Sequence, residues 1–483
     1  MTPRSDDSSD ARTSGFPSSL VLGWGGLGAV LILSFALVAV RAHGDMSIIG
    51  DEWHYAYWMS TDGALDKGFN PDNGRYAIPV PFLLYQALFE IFGTDSYLPF
   101  RIAMCVFIAL VTGLAYELMR RRVGYGLALP LAALIPFFGA AGEVVVNSFR
   151  MPGVIALAAS FGALLALERR TPTRDVMAAV LLVLAVASHP SGLAFVAAVA
   201  IWRLRSFVKG EARLATLAVV GVPAVVFLAF LRPVEREVEP LSSRLAELPE
   251  FAFDGARGLL AALGGFVSSG AIPFESLTGY DSPVGIAALI ALVAAVIWTI
   301  WRRRWDSLPM LALLAAALII LAAPVFAPGD RPPNLGRYVF PAGVCVLIAI
   351  AELARGLPSL LARRERRTTA LGVALAALAA LALVGNAFQL DKRAKDFAID
   401  SRHIRAQAAA LDAVRDQQPE PGLKLERGGL DKKYRFSIEV AEYYVVSDDY
   451  GSPAWTPAEL AEQSPGVQRT ARLSERIALG KGP

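Results

Sequence analysis

Long apolar runs alternate with short polar connections along most of this chain. A helix that crosses the bilayer core needs roughly 20 predominantly apolar residues, and backbone polar groups in lipid must be satisfied within the segment. The pattern therefore predicts an all-α polytopic membrane protein of about eleven helices. The candidate spans are residues 20–40, 97–119, 125–141, 152–167, 176–188, 191–202, 214–231, 283–301, 308–326, 338–354 and 368–389.

Composition agrees with this pattern. Of the 483 residues, 55% are hydrophobic and 18% are charged, which is too much apolar surface for one soluble core. Residues 1–19 are polar and lack a cleavable signal, so we expect a disordered cytoplasmic N-terminus followed by a retained first span. Cys105 and Cys345 lie inside apolar runs without metal or disulfide spacing, which is typical of small core residues.

Basic residues cluster in alternate connections, and the positive-inside rule places those connections in the cytoplasm. The first loop (43–96), the 232–282 connection and the C-terminal part (390–483) then face outward. Because the basic residues sit in short loops between spans, topology explains them and nucleic-acid binding has no support. The clusters are Arg120–Arg122; Arg169, Arg170 and Arg174; Arg203, Arg205, Lys209 and Arg213; Arg302–Arg304; and Arg355, Arg363, Arg364, Arg366 and Arg367.

Two apolar stretches are interrupted by polar tips. In 176–202 the sequence Ser188-His189-Pro190-Ser191-Gly192 breaks a helix and predicts a hairpin. In 125–167 a tip from Gly142 to Pro152 carries Glu143 and Arg150. Both tips should point outward, so charge sorting alone predicts that these residues converge on the side of Asp51 and Glu52.

The acidic pair Asp51-Glu52 directly follows the first span. Ionised residues are costly near hydrocarbon, so their placement there is a functional hypothesis. A carboxylate whose pKa is brought toward the working pH suits general-base chemistry on an acceptor hydroxyl. Successive residues do not share a helix face, so one acid would meet the acceptor while the other orients the loop or holds a cation. The alternative is a polar loop that simply carries acids.

The last outer loop ends with Arg337-Tyr338 at the mouth of span ten. An arginine there can fork onto a phosphate at headgroup depth. The alternative is an interfacial Arg-Tyr anchor of the helix end.

The C-terminal residues predict a small α+β appendage. Residues 399–417 read as an alanine-rich helix, 434–440 alternate as a strand does, and Thr456-Pro457-Ala458-Glu459 is a capping-box helix start. The tail carries no nucleophile motif, Gly-rich phosphate loop or metal spacing.

Five segments together resemble the GT-C superfamily of membrane glycosyltransferases. Asp51-Glu52-Trp53-His54-Tyr55 resembles the Asp-Glu-x-His-aromatic segment of protein O-mannosyltransferases and, more loosely, a segment of lipid A aminoarabinose transferases. The others follow in the same order along roughly 350 residues. They are Gly74-Arg75-Tyr76 through Gly93 with Leu98-Pro99-Phe100-Arg101, then Ser148 to Pro152, then Ser188 to Gly192, and then Gly336-Arg337-Tyr338-Val339-Phe340-Pro341.

The resemblance implies transfer of a sugar from a polyprenyl-phosphate donor to an extracytoplasmic glycan, lipid or protein. It implies Asp51 as the base and Glu52 as its partner or positioner. The implied donor and substrate contacts are His54, Arg75, Glu143, Arg150, His189, Arg337 and Tyr338.

Three departures from the family pattern limit this interpretation. A His-Pro-Pro-type segment does not follow Arg75, no sugar-binding insertion appears in 232–282, and His189 stands where many relatives have lysine. The first two weaken the case for a protein acceptor. We expect no cofactor, although Asp51, Glu52 and Glu143 could offer hard oxygen ligands to a divalent cation.

Three other functions remain open. A transporter or lipid flippase would carry internal repeats and ionisable residues at the membrane midplane. A glycan polymerase or ligase tends to use arginine-rich long outer loops rather than an acidic first loop. A non-catalytic membrane scaffold needs none of these residues.

Overall fold

The computed structural model describes residues 18–42, 46–50, 52–69, 76–169, 171–210, 214–231, 241–266, 283–326, 335–357, 366–423 and 439–481. Within these ranges the chain is mainly helical, and one antiparallel bridge joins Tyr76 to Leu231. The longer helices are α1 (Ser18–Ala42), α2 (Glu52–Thr61), α3 (Ala64–Phe69), α4 (Pro79–Phe92), α5 (Leu98–Ala133), α6 (Gly142–Val146), α7 (Met151–Leu167), α8 (Pro172–Ser188), α9 (Gly192–Val208), α10 (Leu214–Phe230), α11 (Leu241–Leu263), α12 (Pro283–Arg303), α13 (Leu308–Ala322), α14 (Gly336–Leu353), α15 (Arg366–Val414), α16 (Val440–Tyr450), α17 (Pro457–Ala461) and α18 (Pro465–Ala478).

The predicted polytopic helical class is confirmed. Seven helical segments of the described ranges are long and apolar enough to cross a membrane. Helices α8, α9 and α10 have 17 residues each and coincide with three further predicted spans. The long candidates are Val21–Ala42, Leu98–Ala133, Ser148–Leu167, Pro283–Arg303, Trp305–Val325, Gly336–Leu353 and Ala370–Gln417.

The second and third predicted spans meet at Gly124. There φ is 75° and ψ is 172°, which are not helical, so α5 consists of two helices joined across a kink. The second of these ends at Ala133 and is shorter than the predicted span of 125–141. The left-handed φ of Gly124 redirects the chain without a Cβ clash, and Pro136, which has no backbone N–H, lies in the turn that follows.

The last predicted span and the alanine-rich helix are also a single element. Helix α15 has 49 residues and is roughly 73 Å long at 1.5 Å per residue. No proline interrupts it, and the surroundings of its side chains change along its length. Its first half exposes Leu381 and Phe388, as a lipid-facing surface does, while its second half buries Phe397, Ile404 and Leu411 at heptad spacing.

Helix α11 lies in the 232–282 connection, where no element was predicted. Its C-terminal end buries Leu259 and Ala262. The Asn386 side-chain amide of α15 donates to the carbonyls of Ala262 (3.1 Å) and Leu263 (3.3 Å). This helix could have been predicted from the helical spacing of three leucines, Leu241, Leu245 and Leu248.

The basic connections meet at one end of the bundle, as the charge pattern predicts. Arg122 pairs with Glu168 at 2.7 Å and with Glu352, joining α5 to the ends of α7 and α14. At the same end Arg203 of α9 pairs with Asp175 of α8 at 2.8 Å. Which compartment this end faces stays a prediction.

The C-terminal helices pack on the first loop. The rings of Trp53 in α2 and Tyr443 in α16 lie 5.6 Å apart, and the Thr94 amide donates to the Tyr450 carbonyl at 2.7 Å. The predicted capping box is present at Thr456 and Glu459. The predicted strand falls mainly on 434–438, outside the described residues, and Val440 already begins α16.

Candidate functional site

The first loop turns sharply into α2 beside the acidic pair. The Glu52 amide donates to the Ile49 carbonyl at 3.3 Å and the Trp53 amide to the Gly50 carbonyl at 3.2 Å, with Gly50 at a φ of 56°. The Trp53 indole is buried and donates to the Ile48 carbonyl at 3.2 Å. This turn fixes the backbone on both sides of Asp51, which is itself outside the described residues.

Glu52 is buried, with 1% of its surface exposed. Its Oε2 accepts the Ile49 amide at 3.1 Å, and its Oε1 lies 2.6 Å from Ser148 Oγ and 3.0 Å from the Tyr97 hydroxyl. Burial raises the pKa of Glu52 from 4.5 to about 7, and the hydrogen bonds from Ser148, Ile49 and Tyr97 offset only part of that rise. Glu52 therefore faces protein rather than substrate.

The segment that carries Arg150 is held by the same residues. Tyr97 accepts the Ser148 amide at 2.9 Å, and the Tyr85 hydroxyl of α4 donates to the Ser148 carbonyl at 2.6 Å. Two positions later the Arg150 guanidinium lies over the Phe149 ring at 5.1 Å. The position of Arg150 thus depends on α4 and on the start of α5.

Glu143 joins the polar tip 142–152, which we call the second loop, to the start of α14. Its Oε1 accepts the Arg337 amide at 2.9 Å, and its Oε2 lies 3.8 Å from Arg150 Nη2. A carboxylate at a helix N-terminus is favoured because the first N–H groups there have no partner within the helix. A Cβ on Gly336 would lie 2.7 Å from the Glu143 side chain, so this approach needs glycine.

His189 lies at the tip of the predicted α8–α9 hairpin, which the structure contains. Its Nδ1 accepts the Ser191 amide at 3.2 Å and lies 2.9 Å from Ser191 Oγ. An Nδ1 that accepts a backbone N–H carries no proton, so the neutral ring holds its proton on Nε2. Burial, and then the charges of Arg150 and Arg337, lower the pKa of His189 from 6.5 to about 4.

Three donors and one carboxylate therefore meet at this end of the bundle. Arg150 and Arg337 are cationic, His189 offers a neutral N–H, and the Glu143 carboxylate lies 3.8 Å from Arg150 Nη2 and accepts the Arg337 backbone amide. Arg337 lies over the Tyr338 ring at 5.2 Å. Such a set favours an anion with several oxygens, and arginine forks match phosphate geometry. We call Arg150, His189 and Arg337 the cationic cluster.

The predicted site residues separate into three groups. Glu143, Arg150, His189 and Arg337 converge as predicted, with Tyr338 beside Arg337. His54 instead stacks on Trp58 at 5.9 Å. Asp51 and Arg75 lie outside the described residues, so their roles stay predictions.

Sequence reasoning missed the partners of Glu52. In the sequence Tyr97 marks only a span boundary, Ser148 only a motif position, and Tyr85 has no role. The only feature these three residues share in the sequence is a side-chain hydroxyl. Nothing in a single sequence shows which of several such hydroxyls reaches the acid.

No group of three or more His, Cys, Asp or Glu side chains that could hold a metal ion occurs in the part of the chain that the structure describes. Because Asp51 is outside that part, the divalent-cation question stays open. Glu52 and Glu143 are each already engaged by hydrogen bonds.

No family model matches this chain, and no curated protein matches it. The apo oligosaccharyltransferase of Archaeoglobus fulgidus is similar at 12% identity and a TM-score of 0.49, over 95% of this chain and 69% of that chain. AglB from the same organism, in complex with an inhibitory peptide and a dolichol-phosphate, is similar at 16% identity and a TM-score of 0.44, over 80% and 58%.

ArnT from Cupriavidus metallidurans bound to undecaprenyl phosphate is similar at 14% identity and a TM-score of 0.46, over 94% of this chain and 88% of that chain. These neighbours are proteins of the GT-C superfamily, which is also the superfamily that the sequence motifs resemble. Their TM-scores are below 0.5, and the function proposed below therefore rests on the site and the motifs.

Proposed function

We propose that this chain is a membrane glycosyltransferase that moves a sugar from a polyprenyl-phosphate donor to an extracytoplasmic acceptor. The observation that carries the proposal is the cationic cluster, in which Arg150 and Arg337 lie close enough to His189 for their charges to add to the effect of burial in lowering its pKa. The cluster lies at the end of the bundle opposite the basic connections.

The charge of the cluster suits the leaving group. A sugar bound to polyprenyl phosphate is a phosphodiester with one negative charge. When the bond from the anomeric carbon to the phosphate oxygen breaks, that charge increases toward two on the released polyprenyl phosphate. Arg150 and Arg337, placed in advance, stabilise this developing charge most in the transition state. His189 adds a neutral N–H.

Asp51 is the proposed base. It follows Gly50 and precedes Glu52, whose buried carboxyl fixes the turn. Asp51 accepts the proton of the acceptor hydroxyl as that oxygen bonds to the anomeric carbon and polyprenyl phosphate leaves from the opposite face. The reaction therefore inverts the anomeric centre, and the base and the cationic cluster must flank the sugar.

A lipid-linked donor fits the location of the site. An outward-facing enzyme has no access to cytosolic nucleotide sugars, whereas a polyprenyl phosphate presents its headgroup at the membrane surface. The sugar and the acceptor stay undefined.

The test uses the purified full-length protein in lipid vesicles that contain a polyprenyl-phosphate donor carrying a labelled sugar, with a cell-envelope extract as acceptor. We expect donor-dependent release of polyprenyl phosphate and transfer of label, both lost in Asp51→Asn. Movement of intact donor between leaflets without cleavage would instead identify a flippase. Absence of both would contradict the proposal.

A further inference from the structure

Three oxygen atoms form a closed triangle behind the site. Glu52 Oε1 lies 2.6 Å from Ser148 Oγ and 3.0 Å from the Tyr97 hydroxyl, and those two hydroxyl oxygens lie 2.5 Å apart. All three residues are buried. Each side of the triangle is short enough to require a hydrogen atom between its two oxygens.

Counting hydrogens shows what the triangle needs. Ser148 and Tyr97 each supply one, which is enough for two of the three sides. With an ionised Glu52, the third side would place two unshared oxygen lone pairs against each other in a buried setting, which is costly. A proton on Glu52 fills the third side. The other carboxyl oxygen still accepts the Ile49 amide.

We propose that Glu52 is protonated in the working enzyme and acts as a positioning residue that ties the Asp51 turn to the Arg150 segment. This inference rests on the proposed function for its kinetic consequences but not for the protonation itself. Glu52 touches no reacting atom. It holds the two halves of the site through Ile49 on one side and Ser148 on the other.

The groups that face Glu52 agree with a protonated acid. Around it lie Tyr97 just before α5, Ser148 from the second loop and Tyr85 from α4, none of which is cationic. The backbone N–H groups of Ile49 and Phe149 also face it and lower its pKa, but by less than burial raises it. Its neighbour in sequence, Asp51, is acidic. Burial raises the pKa of Glu52 to about 7. Because an acid is protonated below its pKa, the closed triangle exists below about pH 7 and opens as the pH rises.

Opening the triangle should loosen the Arg150 segment. The effect should appear mainly as a higher KM for the donor above about pH 7, with a smaller change in kcat. In Glu52→Gln the amide supplies the missing hydrogen at every pH. We expect this variant to stay within about threefold of wild type at pH 6.5, because the hydrogen bond that closes the triangle is retained, and to show no alkaline rise in donor KM.

Infrared spectroscopy tests the protonation without any turnover. The spectrum of wild type minus that of Glu52→Gln should contain the carbonyl band of a protonated carboxylic acid at pH 6.5, and that band should disappear by pH 8.5. Glu90→Gln provides the matched control, since Glu90 is an exposed carboxylate on α4 bonded to Gln86. It should keep the wild-type pH dependence of KM.

The outcomes separate the two proposals. A wild type that releases no polyprenyl phosphate contradicts the proposed function and leaves the infrared result to decide the protonation. A spectrum at pH 6.5 without the protonated-acid band would contradict the protonation. A loss of kcat of about a hundredfold in Glu52→Gln, as expected for a general base, would show that the ionised acid is required. Melting temperatures at pH 6.5 check that the Gln variant folds.

Discussion

Glu143 contacts both arginine residues of the cationic cluster with one carboxylate. It accepts the backbone amide of Arg337 and lies 3.8 Å from the Arg150 guanidinium. The acid therefore orients the second loop and the start of α14 relative to each other. Further carboxylates beside these arginines would repel a phosphate.

Asp51 should be the most sensitive single residue. Replacement by asparagine keeps the shape of the side chain and removes its proton affinity. We expect Asp51→Asn to lower transfer by about a hundredfold or more, the usual contribution of a general base, with an unchanged melting temperature in detergent. Initial rates of label transfer measure this. A variant that keeps more than about a tenth of the rate would remove Asp51 as the base.

His189 should act as a neutral donor. In His189→Asn the side-chain oxygen can still accept the Ser191 amide, so the hairpin tip should stay folded. The imidazole Nε2–H is lost. The affinity for polyprenyl phosphate should fall by roughly tenfold, as for one hydrogen bond to a charged group. Titration of each protein with polyprenyl phosphate measures this affinity. Equal Kd values for the two proteins would limit His189 to a structural role in the turn.

The same histidine predicts the sign of a pH effect on stability. Its folded-state pKa, about 4, lies below its ordinary value of 6.5. The unfolded chain therefore binds the proton first, and stability should fall as the pH drops from about 6.5 to about 4. The melting temperature of wild type relative to His189→Asn should decrease across this window. A constant difference would contradict the lowered pKa.

Much of the site at this scale could be predicted from sequence. Arg150, His189 and Arg337 interrupt or flank apolar spans, and the positive-inside rule places all three at the same end of the bundle. The Glu52 triangle could not be predicted, because its hydroxyls lie 45 and 96 positions away in the chain. Only the fold shows that they are neighbours.

At the scale of elements, polar side chains join the helices that surround the site. Asn386 in α15 is buried, donates to α11 carbonyls and accepts the Gly139 amide at 3.1 Å. This one side chain links α15, the end of α11 and the turn before the second loop. Sequence patterning found α8 and α9 because Pro190 and Gly192 mark their break. It missed the continuity of α15, whose apolar and amphipathic halves give two separate signals.

Asn386→Ala should therefore destabilise the protein. Loss of the amide leaves the Gly139 N–H without its acceptor and removes one donor from the carbonyls of Ala262 and Leu263. Each buried group left unsatisfied costs about 1–3 kcal/mol. A lower melting temperature in detergent checks this. Leu381→Ala on the exposed face of the same helix should have little effect. If both variants melt alike, Asn386 does not hold these elements together.

At the scale of the whole molecule, the two ends of the helix bundle carry arginines in different settings. One end joins basic helix termini through pairs such as Arg122 with Glu168. The other holds the cationic cluster under the first loop and the C-terminal helices. Charge sorting predicted this arrangement because the positive-inside rule acts on whole loops. It could not predict how α16 packs on Trp53, which depends on side-chain shape.

The two ends should lie on opposite sides of the membrane. Single cysteines replacing Asp66 in the first loop and Asp306 at the basic end suit this test, because both carboxylates are exposed. In a background without Cys105 and Cys345, an impermeant maleimide should label the first in intact cells. It should label the second only after permeabilisation. The reverse pattern would place the site in the cytoplasm and exclude the proposed donor chemistry.

Binding of polyprenyl phosphate to Arg337→Ala tests whether the cationic cluster is a phosphate site. Arg302 provides a matched control, because it also lies near a helix end over an aromatic ring, 5.3 Å from Trp298, but at the basic end. We expect a Kd at least tenfold higher for Arg337→Ala, in line with one charge-assisted interaction of about 1.5–3 kcal/mol, and a wild-type Kd for Arg302→Ala. Equal affinities of wild type and Arg337→Ala would contradict a phosphate site at the cationic cluster.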